Sequence, residues 1–317
     1  MGSVLEADKP SRTAWTTAAC RAHESRKPAS ERVCYDPYAD TFIGSNCNPF
    51  GDFPLPPRVA FWLWDLVMPG WDGYFVARTR FIDDALEIRL REGLDQLVIM
   101  GAGYDSRALR YQQLKDAVQV FEVDHPATQQ VKSTRLRQMF GTLPKHIHLV
   151  AVDFTAETLK GRLQEFGYRS NRRTMFIWEG VSMYLPPSAV DETLAFVSHS
   201  SGSGSSIIFD YTYPSVIDGT CRRRESVMWR RSVKRLGEDL LFGIEEGAIE
   251  TFLKQRGFSV ARNADHVFLK QTYFTGVNEM RLITPIIAIV HAFANTDAKQ
   301  ALSADRLRLA SLDLPGG

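Results

Sequence analysis

Five short apolar runs, each followed by an acidic residue or a glycine, most constrain how this chain can fold. The runs are rich in β-branched and aromatic residues, and the segments between them carry apolar residues at helical spacing, such as Val190, Leu194 and Val197. Nearly continuous apolar runs are typical of strands buried on both faces of a parallel sheet. The alternation of strands and helices therefore predicts a doubly wound α/β domain. The runs occupy residues 96–100, 118–123, 147–152, 174–178 and 206–209.

Two more strands are predicted near residues 258–260 and 286–293, so the predicted sheet has seven, mostly parallel strands with helices on both faces. The residues before the sheet are rich in aromatics and prolines, which predicts a helical layer or lid. An arginine-rich amphipathic stretch after the fifth run predicts inserted helices. The predicted organisation is an N-terminal helical lid segment at 1–90, a main domain at 91–296 with a helical insertion at about 213–245, and a C-terminal tail at 297–317.

Composition and charge exclude several classes of protein. The formal net charge is +1 at pH 7, so no overall field favours a nucleic acid or a membrane surface as partner. The cysteines lie far apart without a CxxC pair, which favours reduced thiols over a disulfide framework or a metal site. The N-terminus lacks the apolar core of a signal peptide, and the apolar run near the end is too short to span a bilayer. We expect a cytoplasmic protein without metal, nucleic-acid or membrane partners, and the oligomeric state stays open.

Polar groups after the strands predict a ligand site, because ligands of open α/β sheets bind at the carboxyl ends of the strands. Gly101 and Gly103 follow the first run, and glycines there permit a sharp turn and the close approach of a ligand. Asp124 follows the second run, where a carboxylate can accept both hydroxyls of a ribose. NAD and S-adenosylmethionine both fit these residues, but a dinucleotide-binding fingerprint would carry a third glycine where this chain has Ser106.

Asp153 and Phe154, after the third run, can contact an adenine ring. The carboxylate of Asp153 can accept a hydrogen bond from the exocyclic amine, and the backbone N–H of Phe154 can meet a ring nitrogen. Asp153 fits equally well as the N-cap of the helix that follows. Both interpretations stay open on local grounds.

Five groups of residues, in order along the chain, together resemble the leucine carboxyl methyltransferase family. That family includes protein phosphatase methyltransferases and a large branch of small-molecule O-methyltransferases, and the resemblance covers about residues 13–294. It implies a Rossmann-like class I methyltransferase fold and S-adenosyl-L-methionine as the cofactor. The sequence is more similar to the small-molecule branch. The five groups are 74–80, 101–107, 121–126, 152–154 and 179–185.

The resemblance also implies roles for individual residues. Arg78 would pair with the carboxylate of the cofactor's methionine part, a task suited to a guanidinium, and Arg21 would assist it. Glu179 would lie near the methionine amino group, and Tyr184 would face the acceptor. The other cofactor residues are Gly101 and Gly103 beneath the methionine part, Asp124 at the ribose, Asp153 and Phe154 at the adenine, and the adjoining Asp105 and His125.

Methyl transfer from a sulfonium is an in-line displacement, in which the protein mainly positions the reactants and excludes water. A carboxylate acceptor is ionised at neutral pH and needs no general base, whereas a phenol or alcohol would need one, such as His125 or His199. Tyr184, with Tyr211 or Tyr213 near the fifth run, is predicted to orient the acceptor. The sequence therefore predicts an S-adenosylmethionine-dependent O-methyltransferase that acts on a small organic acceptor such as a carboxylate.

Four alternatives stay open at this point. One is methyl esterification of a protein C-terminal carboxylate. A second is an NAD-dependent oxidoreductase, against which the missing third glycine counts. A third is a nucleic-acid methyltransferase that uses the basic residues 222–235, although such a run is most often a solvated helix face. The fourth is a non-catalytic cofactor-binding protein with the same fold.

Overall fold

The structure, a computed structural model, describes residues 12–44, 55–152 and 158–295. Four helices come first, and strands alternate with helices after them. The first helices are α1 (Arg12–Ser25), α2 (Ala39–Ile43), α3 (Pro57–Val67) and α4 (Trp71–Arg91). The strands are β1 (Gln96–Met100), β2 (Gln119–Asp124), β3 (Ile147–Ala151), β4 (Thr174–Trp178), β5 (Ser206–Thr212), β6 (Phe258–Ala264) and β7 (Ile287–Ala294). The later helices are α5 (Arg107–Arg110), α6 (Gln112–Asp116), α7 (Pro126–Phe140), α8 (Leu159–Glu165), α9 (Pro187–His199), α10 (Pro214–Ile217), α11 (Arg224–Arg235), α12 (Ile249–Lys254) and α13 (His266–Tyr273).

The seven strands form one sheet with the order β3-β2-β1-β4-β5-β7-β6. β1 pairs in parallel with both β2 and β4, whereas β7 is antiparallel to its neighbours β5 and β6. The strand order reverses at β1, so the carboxyl ends of β1 and β4 lie side by side. Ligands of open α/β sheets bind at such a switch point. The predicted α/β fold, with seven mostly parallel strands, is confirmed.

The predicted strand limits agree with the structure for β1 and β4, and they are too short for β5. The prediction ended that strand at Phe209, but β5 continues to Thr212. The extension has a physical cause, because β7 pairs with β5 over its whole length, from Ser206 to Thr212. The pairing satisfies the backbone groups of the added residues. Asp210 therefore lies within a strand, and the alternation of the strand sets the direction of its side chain.

Apolar side chains alternate across the sheet and form a core on each face. Leu97 and Ile99 of β1 belong to a core that also contains buried residues of α1 and α4. Val98 and Met100 belong to the core on the other face, with buried residues of α9 and α12. Helices on both faces explain why β1 is apolar and buried at its last four positions. The helices before the sheet are therefore part of the main core.

The other predictions about organisation are only partly covered by the structure. α4 ends at Arg91, next to the predicted boundary, and the predicted insertion at 213–245 contains α10 and α11. The predicted tail at 297–317 lies outside the described residues, and the division into segments stays a prediction. Among the helices of the described ranges, none is long and apolar enough to cross a lipid bilayer. The cytoplasmic location stays a prediction.

Gly73 brings α4 close to the loop before β7. A Cβ atom at Gly73 would clash with the carbonyl oxygen of Leu282 and would lie 3.2 Å from Cε2 of Phe274. Alanine normally stabilises a helix interior by about 1 kcal/mol relative to glycine. We expect Gly73→Ala instead to lower the free energy of unfolding by roughly 1–3 kcal/mol, because it overpacks this contact. Urea denaturation measures the change.

Gly161→Ala in α8 is the matched control for this substitution. Among the described residues, its new methyl group would meet Oγ1 of Thr158, at 3.1 Å. If Gly73→Ala costs no more stability than Gly161→Ala, the close packing of α4 in the structure is wrong.

Candidate functional site

A buried arginine links α4 to two neighbouring strands at the carboxyl edge of the sheet. The side chain of Arg78 is 4% exposed. Its Nη2 lies 2.8 Å from Oε1 of Glu179, which follows β4, and its Nη1 donates to Oδ2 of Asp210 in β5. The backbone N–H of Gly180 donates to the other oxygen of Asp210, at 2.7 Å. Arg78 is therefore held between two carboxylates.

A second buried arginine contacts the other oxygen of Glu179. Nη1 of Arg107 donates to Oε2 of Glu179, at 2.9 Å, and also to Asp105. Nε of Arg107 donates to Oδ1 of Asp83 at 2.7 Å, and Arg110 donates to Oδ2 of Asp83, also at 2.7 Å. Each oxygen of Glu179 thus faces a different guanidinium. The carboxylate of Asp105 is engaged by Arg107, and its predicted contact with the cofactor stays a prediction.

The two arginines keep Glu179 ionised. Burial alone would raise the pKa of this carboxyl group, but Arg78 and Arg107 lower it to about 2. Burial lowers the pKa of Arg78, and the neighbouring carboxylates of Glu179 and Asp210 outweigh that effect and raise it. Opposite charges in contact favour the charged forms of both partners. The site therefore holds fixed charges of both signs at neutral pH.

Arg21 lies near these charges and bonds to Asp36 and to the loop after β1. Its Nε donates to Oδ2 of Asp36 at 2.8 Å, and its Nη2 donates to the carbonyl oxygen of Tyr104 at 2.7 Å. Oγ of Ser106 donates to the other oxygen of Asp36, at 2.6 Å. These bonds attach α1 to the loop after β1. The positive charge of Arg21 also helps to lower the pKa of Glu179, and its predicted assistance to Arg78 stays a prediction.

The loop after β1 depends on two glycines. Gly101 and Gly103 have φ values of +69° and +45°, in the left-handed region that favours glycine. A Cβ at Gly101 would clash with Cγ2 of Val181, and a Cβ at Gly103 would lie 2.9 Å from Cβ of Ala14. The loop therefore turns sharply between α1 and the residues after β4, as its sequence predicted.

Asp124 holds the same loop from the end of β2. Its Oδ2 accepts a hydrogen bond from the backbone N–H of Gly103 at 2.6 Å, and its Oδ1 accepts one from the N–H of His125 at 2.7 Å. Burial raises the pKa of Asp124, although these two bonds oppose the shift. Nδ1 of His125 accepts from the N–H of Ala127 at 3.3 Å and caps α7. The predicted contact of His125 with the cofactor stays a prediction.

The two predicted acceptor tyrosines lie on opposite faces of the sheet. Tyr184, in the 3-10 turn after β4, lies on the face covered by α4, and Nε1 of Trp229 donates to its hydroxyl at 3.4 Å. Tyr211 is buried on the other face, where its hydroxyl donates to Oδ1 of Asn263 at 3.2 Å. Neighbouring residues of a strand point to opposite faces of the sheet. Because the side chain of Asp210 points toward α4, the side chain of Tyr211 points to the other face. The prediction that Tyr211 orients an acceptor on this side is wrong.

Several residues of this site were not predicted. Two residues that were predicted, Asp153 and Phe154, lie outside the described residues. Arg107, Asp83 and Asp210 were not proposed as site residues, although they supply much of its charge. The sequence carried a signal for two of them, because Arg107 ends the 101–107 motif and Asp210 follows the fifth apolar run.

The pKa of Glu179 predicts how stability depends on pH. The ordinary pKa of this carboxyl group is 4.5, and in the folded chain it is about 2. A lowered pKa stabilises the folded state above pH 4.5, and this stabilisation is lost as the pH falls from 4.5 toward about 2. We expect Glu179→Gln to lower the free energy of unfolding at pH 7 by roughly 3 kcal/mol. The difference from the wild-type protein should shrink below pH 4.5, as measured by urea denaturation at several pH values.

Glu87→Gln is the control, because Glu87 forms an exposed pair with Arg91 on α4, at 3.2 Å. An exposed pair contributes little to stability. A pH-independent difference between the wild-type protein and Glu179→Gln would contradict the ionised, buried state of Glu179.

The chain matches a known protein family over more than half of its length. A family model described as leucine carboxyl methyltransferase matches residues 14–198. The Bacillus subtilis protein YktD, named a "putative S-adenosyl-L-methionine-dependent methyltransferase", is 30% identical over 219 residues, which cover 68% of this chain and 71% of that protein. A protein with the same description from Mycobacterium sp. (strain JLS) is 30% identical over 266 residues, 81% of this chain and 85% of its own length.

Two solved structures share the fold at low sequence identity. A methyltransferase structure from Thermobifida fusca, also named putative, has a TM-score of 0.57 at 13% identity and covers 92% of this chain and 97% of its own. A DUF574 family protein from Streptomyces avermitilis has a TM-score of 0.53 at 10% identity and covers 92% and 98%. At these identities the likeness supports the fold alone. The sequence matches confirm the predicted relationship, and the chain belongs to the leucine carboxyl methyltransferase family.

Proposed function

We propose that this chain is an S-adenosylmethionine-dependent O-methyltransferase that acts on a small organic acceptor such as a carboxylate. Family membership supports methyl transfer, and the relatives described above carry dependence on S-adenosylmethionine in their names. The observation that carries the proposal is the buried group of Arg78, Glu179 and Arg107, which adjoins the glycine loop after β1.

The charges of this group fit the zwitterionic methionine end of the cofactor. Arg78 would hold its carboxylate, and Glu179 would hold its amino group. Among the described residues, the buried Nε of Arg78 has no hydrogen-bond partner. Oε1 of Glu179 lies 2.8 Å from Nη2 of Arg78 as an ion pair. An unsatisfied buried polar atom costs about 1–3 kcal/mol, so a ligand that bonds to Nε of Arg78 gains affinity.

The glycine loop and Asp124 fit the ribose side of the cofactor. Each oxygen of Asp124 accepts one backbone N–H and, as a carboxylate oxygen, can accept a second hydrogen bond from a ribose hydroxyl. Gly101 is exposed, so a ligand can approach its backbone. Any other residue at Gly101 would clash with Val181. The loop is thus shaped for close approach of a ligand.

The net charge of the site favours a positively charged ligand. When bound, S-adenosylmethionine supplies a methyl group on a positively charged sulfur. The surrounding network holds one more carboxylate than guanidinium groups, which gives it a net charge of −1 and favours a cation. The remaining tasks of the protein are positioning and the exclusion of water. The carboxylates are Asp83, Asp105, Glu179 and Asp210, and the guanidinium groups are those of Arg78, Arg107 and Arg110.

A carboxylate is the acceptor that requires the fewest catalytic groups from this chain. An ionised carboxylate requires no general base at neutral pH. The histidines considered as bases have other contacts, since the ring of His125 caps α7 and Nδ1 of His199 lies 2.7 Å from the carbonyl oxygen of Ala195. The description of the family as carboxyl methyltransferases also supports this choice. Tyr184 is the side chain proposed to orient the acceptor.

Asp124→Ala tests the cofactor site. We expect it to weaken the binding of S-adenosylmethionine at least tenfold, about 1.4 kcal/mol, because a charge-assisted contact to the ribose is lost. Isothermal titration calorimetry measures the affinity, and circular dichroism verifies that the variant is folded. Asp116→Ala is the control, since Asp116 is exposed on α6. Equal affinities of the two variants would refute the assignment of Asp124.

A screen with a labelled methyl donor tests the acceptor. We expect transfer to small carboxylates, and we expect Tyr184→Phe to raise the acceptor KM at least threefold while the Kd for S-adenosylmethionine stays unchanged. Tyr35→Phe, at a position 46% exposed, is the control. Transfer only to the C-terminal carboxylate of a peptide would favour esterification of a protein instead. Transfer only to phenols would require a general base that we have not assigned.

A further inference from the structure

The proposed reaction does not use the basic residues of α11 and the turn before it. Residues 222–235 contain seven arginine or lysine residues and one glutamate, a net charge of +6. The whole chain has a net charge of +1, so the remainder carries −5. Such a concentration of one sign creates a local field that the overall charge conceals. This segment is therefore strongly basic, whereas the rest of the protein is acidic overall.

The helix separates its apolar residues from its basic residues. Trp229 and Val233 are buried against the body of the protein, whereas Arg224, Arg231 and Arg235 are exposed. Positions separated by seven and four residues lie on one face of a helix. At a rise of about 1.5 Å per residue, the three arginines form a row roughly 16 Å long. We call this row the arginine face of α11.

The arginine face has no carboxylate partner in the part of the chain that the structure describes. The ion pair found in this segment joins Arg223 to Glu225, at 3.6 Å. Arg224, Arg231 and Arg235 form no ion pair and no side-chain hydrogen bond with any residue of the described ranges. Like charges in a row repel each other, and an oppositely charged partner would remove that cost.

Apolar side chains follow the arginine face along the chain. Leu236 is 40% exposed and Leu241 is 48% exposed. Arginine combined with apolar side chains is typical of protein interfaces. A nucleic acid or an anionic membrane presents negative charge over an area larger than one helix. The arginine face is only one helix wide, so its width and charge match a single acidic helix or strand of another protein.

We propose that the arginine face of α11 is a docking surface for an acidic protein. The helix α11 also contacts the proposed site. Nε1 of Trp229, on the buried side of α11, donates to the hydroxyl of Tyr184 at 3.4 Å. A docked protein would lie beside the side of the site assigned to the acceptor, and this placement rests on the proposed function. An acidic protein bound there can present an attached acceptor to the site. Complementary charge would also accelerate its association.

The test uses a fluorescent, helical peptide with glutamates spaced to match the arginine face. Fluorescence anisotropy measures its binding to the full chain at low and at high salt. We expect binding that weakens as salt rises, because the contact is between exposed charges. The combined substitution Arg224→Glu, Arg231→Glu and Arg235→Glu should weaken binding at least tenfold.

A matched variant separates position from total charge. Lys160, Arg169 and Lys254 are exposed on other parts of the protein. Their combined replacement by glutamate changes the net charge by the same amount, and we expect it to change peptide affinity less than twofold. Equal losses in both triple variants would overturn a localised docking surface.

Two further probes decide between classes of partner. A single-stranded oligonucleotide with the same charge as the peptide, and vesicles that contain phosphatidylserine, are titrated in the same way. Tighter binding of either probe through the arginine face would overturn the choice of an acidic protein. Calorimetry with S-adenosylmethionine runs in parallel on all variants. Normal cofactor binding without peptide binding refutes the docking surface alone, whereas failure of the wild-type protein to bind the cofactor refutes the proposed function.

Discussion

The burial of Arg78 between Glu179 and Asp210 is the constraint on which the site depends. A charge without a partner in a protein interior is very costly, so α4 can pack on the sheet only where both carboxylates meet this guanidinium. One of the carboxylates follows β4 and the other lies within β5. The pairing therefore fixes one helix against two strands, and it does so at the edge of the sheet where a ligand binds.

The same constraint makes the N-terminal helices part of the site. Arg107 joins Glu179 to Asp83 on α4, so two arginines from different elements hold one carboxylate. Gly73, on the same helix as Arg78, lets α4 approach the loop before β7. A helical layer that only covered the sheet would need none of these contacts. In this protein the layer supplies Arg78 and Asp83, two of the seven charged groups of the network near the proposed cofactor.

Patterns among neighbouring residues predicted the features that depend on neighbouring residues alone. The limits of β1, the sharp turn at Gly101 and the place of Asp124 follow from a buried strand, a left-handed backbone and a strand end. The ion pairs could not be predicted, because Arg78 and Asp210 are far apart in sequence and only the packing of α4 on the sheet brings them together. Tyr211 was misplaced because the predicted fifth strand ended too early. In the structure β5 continues past Asp210, so the side chain of Tyr211 points to the opposite face of the sheet.

The bonds of Arg21 have a consequence for how the protein responds to its ligand. Arg21 and Asp36 connect α1 to the backbone of Tyr104 and the hydroxyl of Ser106, within the loop that would lie beneath the cofactor. If a ligand orders this loop, its binding strengthens the packing of α1 against the loop. By reciprocity, the packing of α1 strengthens ligand binding by the same free energy. Ligand binding and the docking of α1 are therefore coupled equilibria.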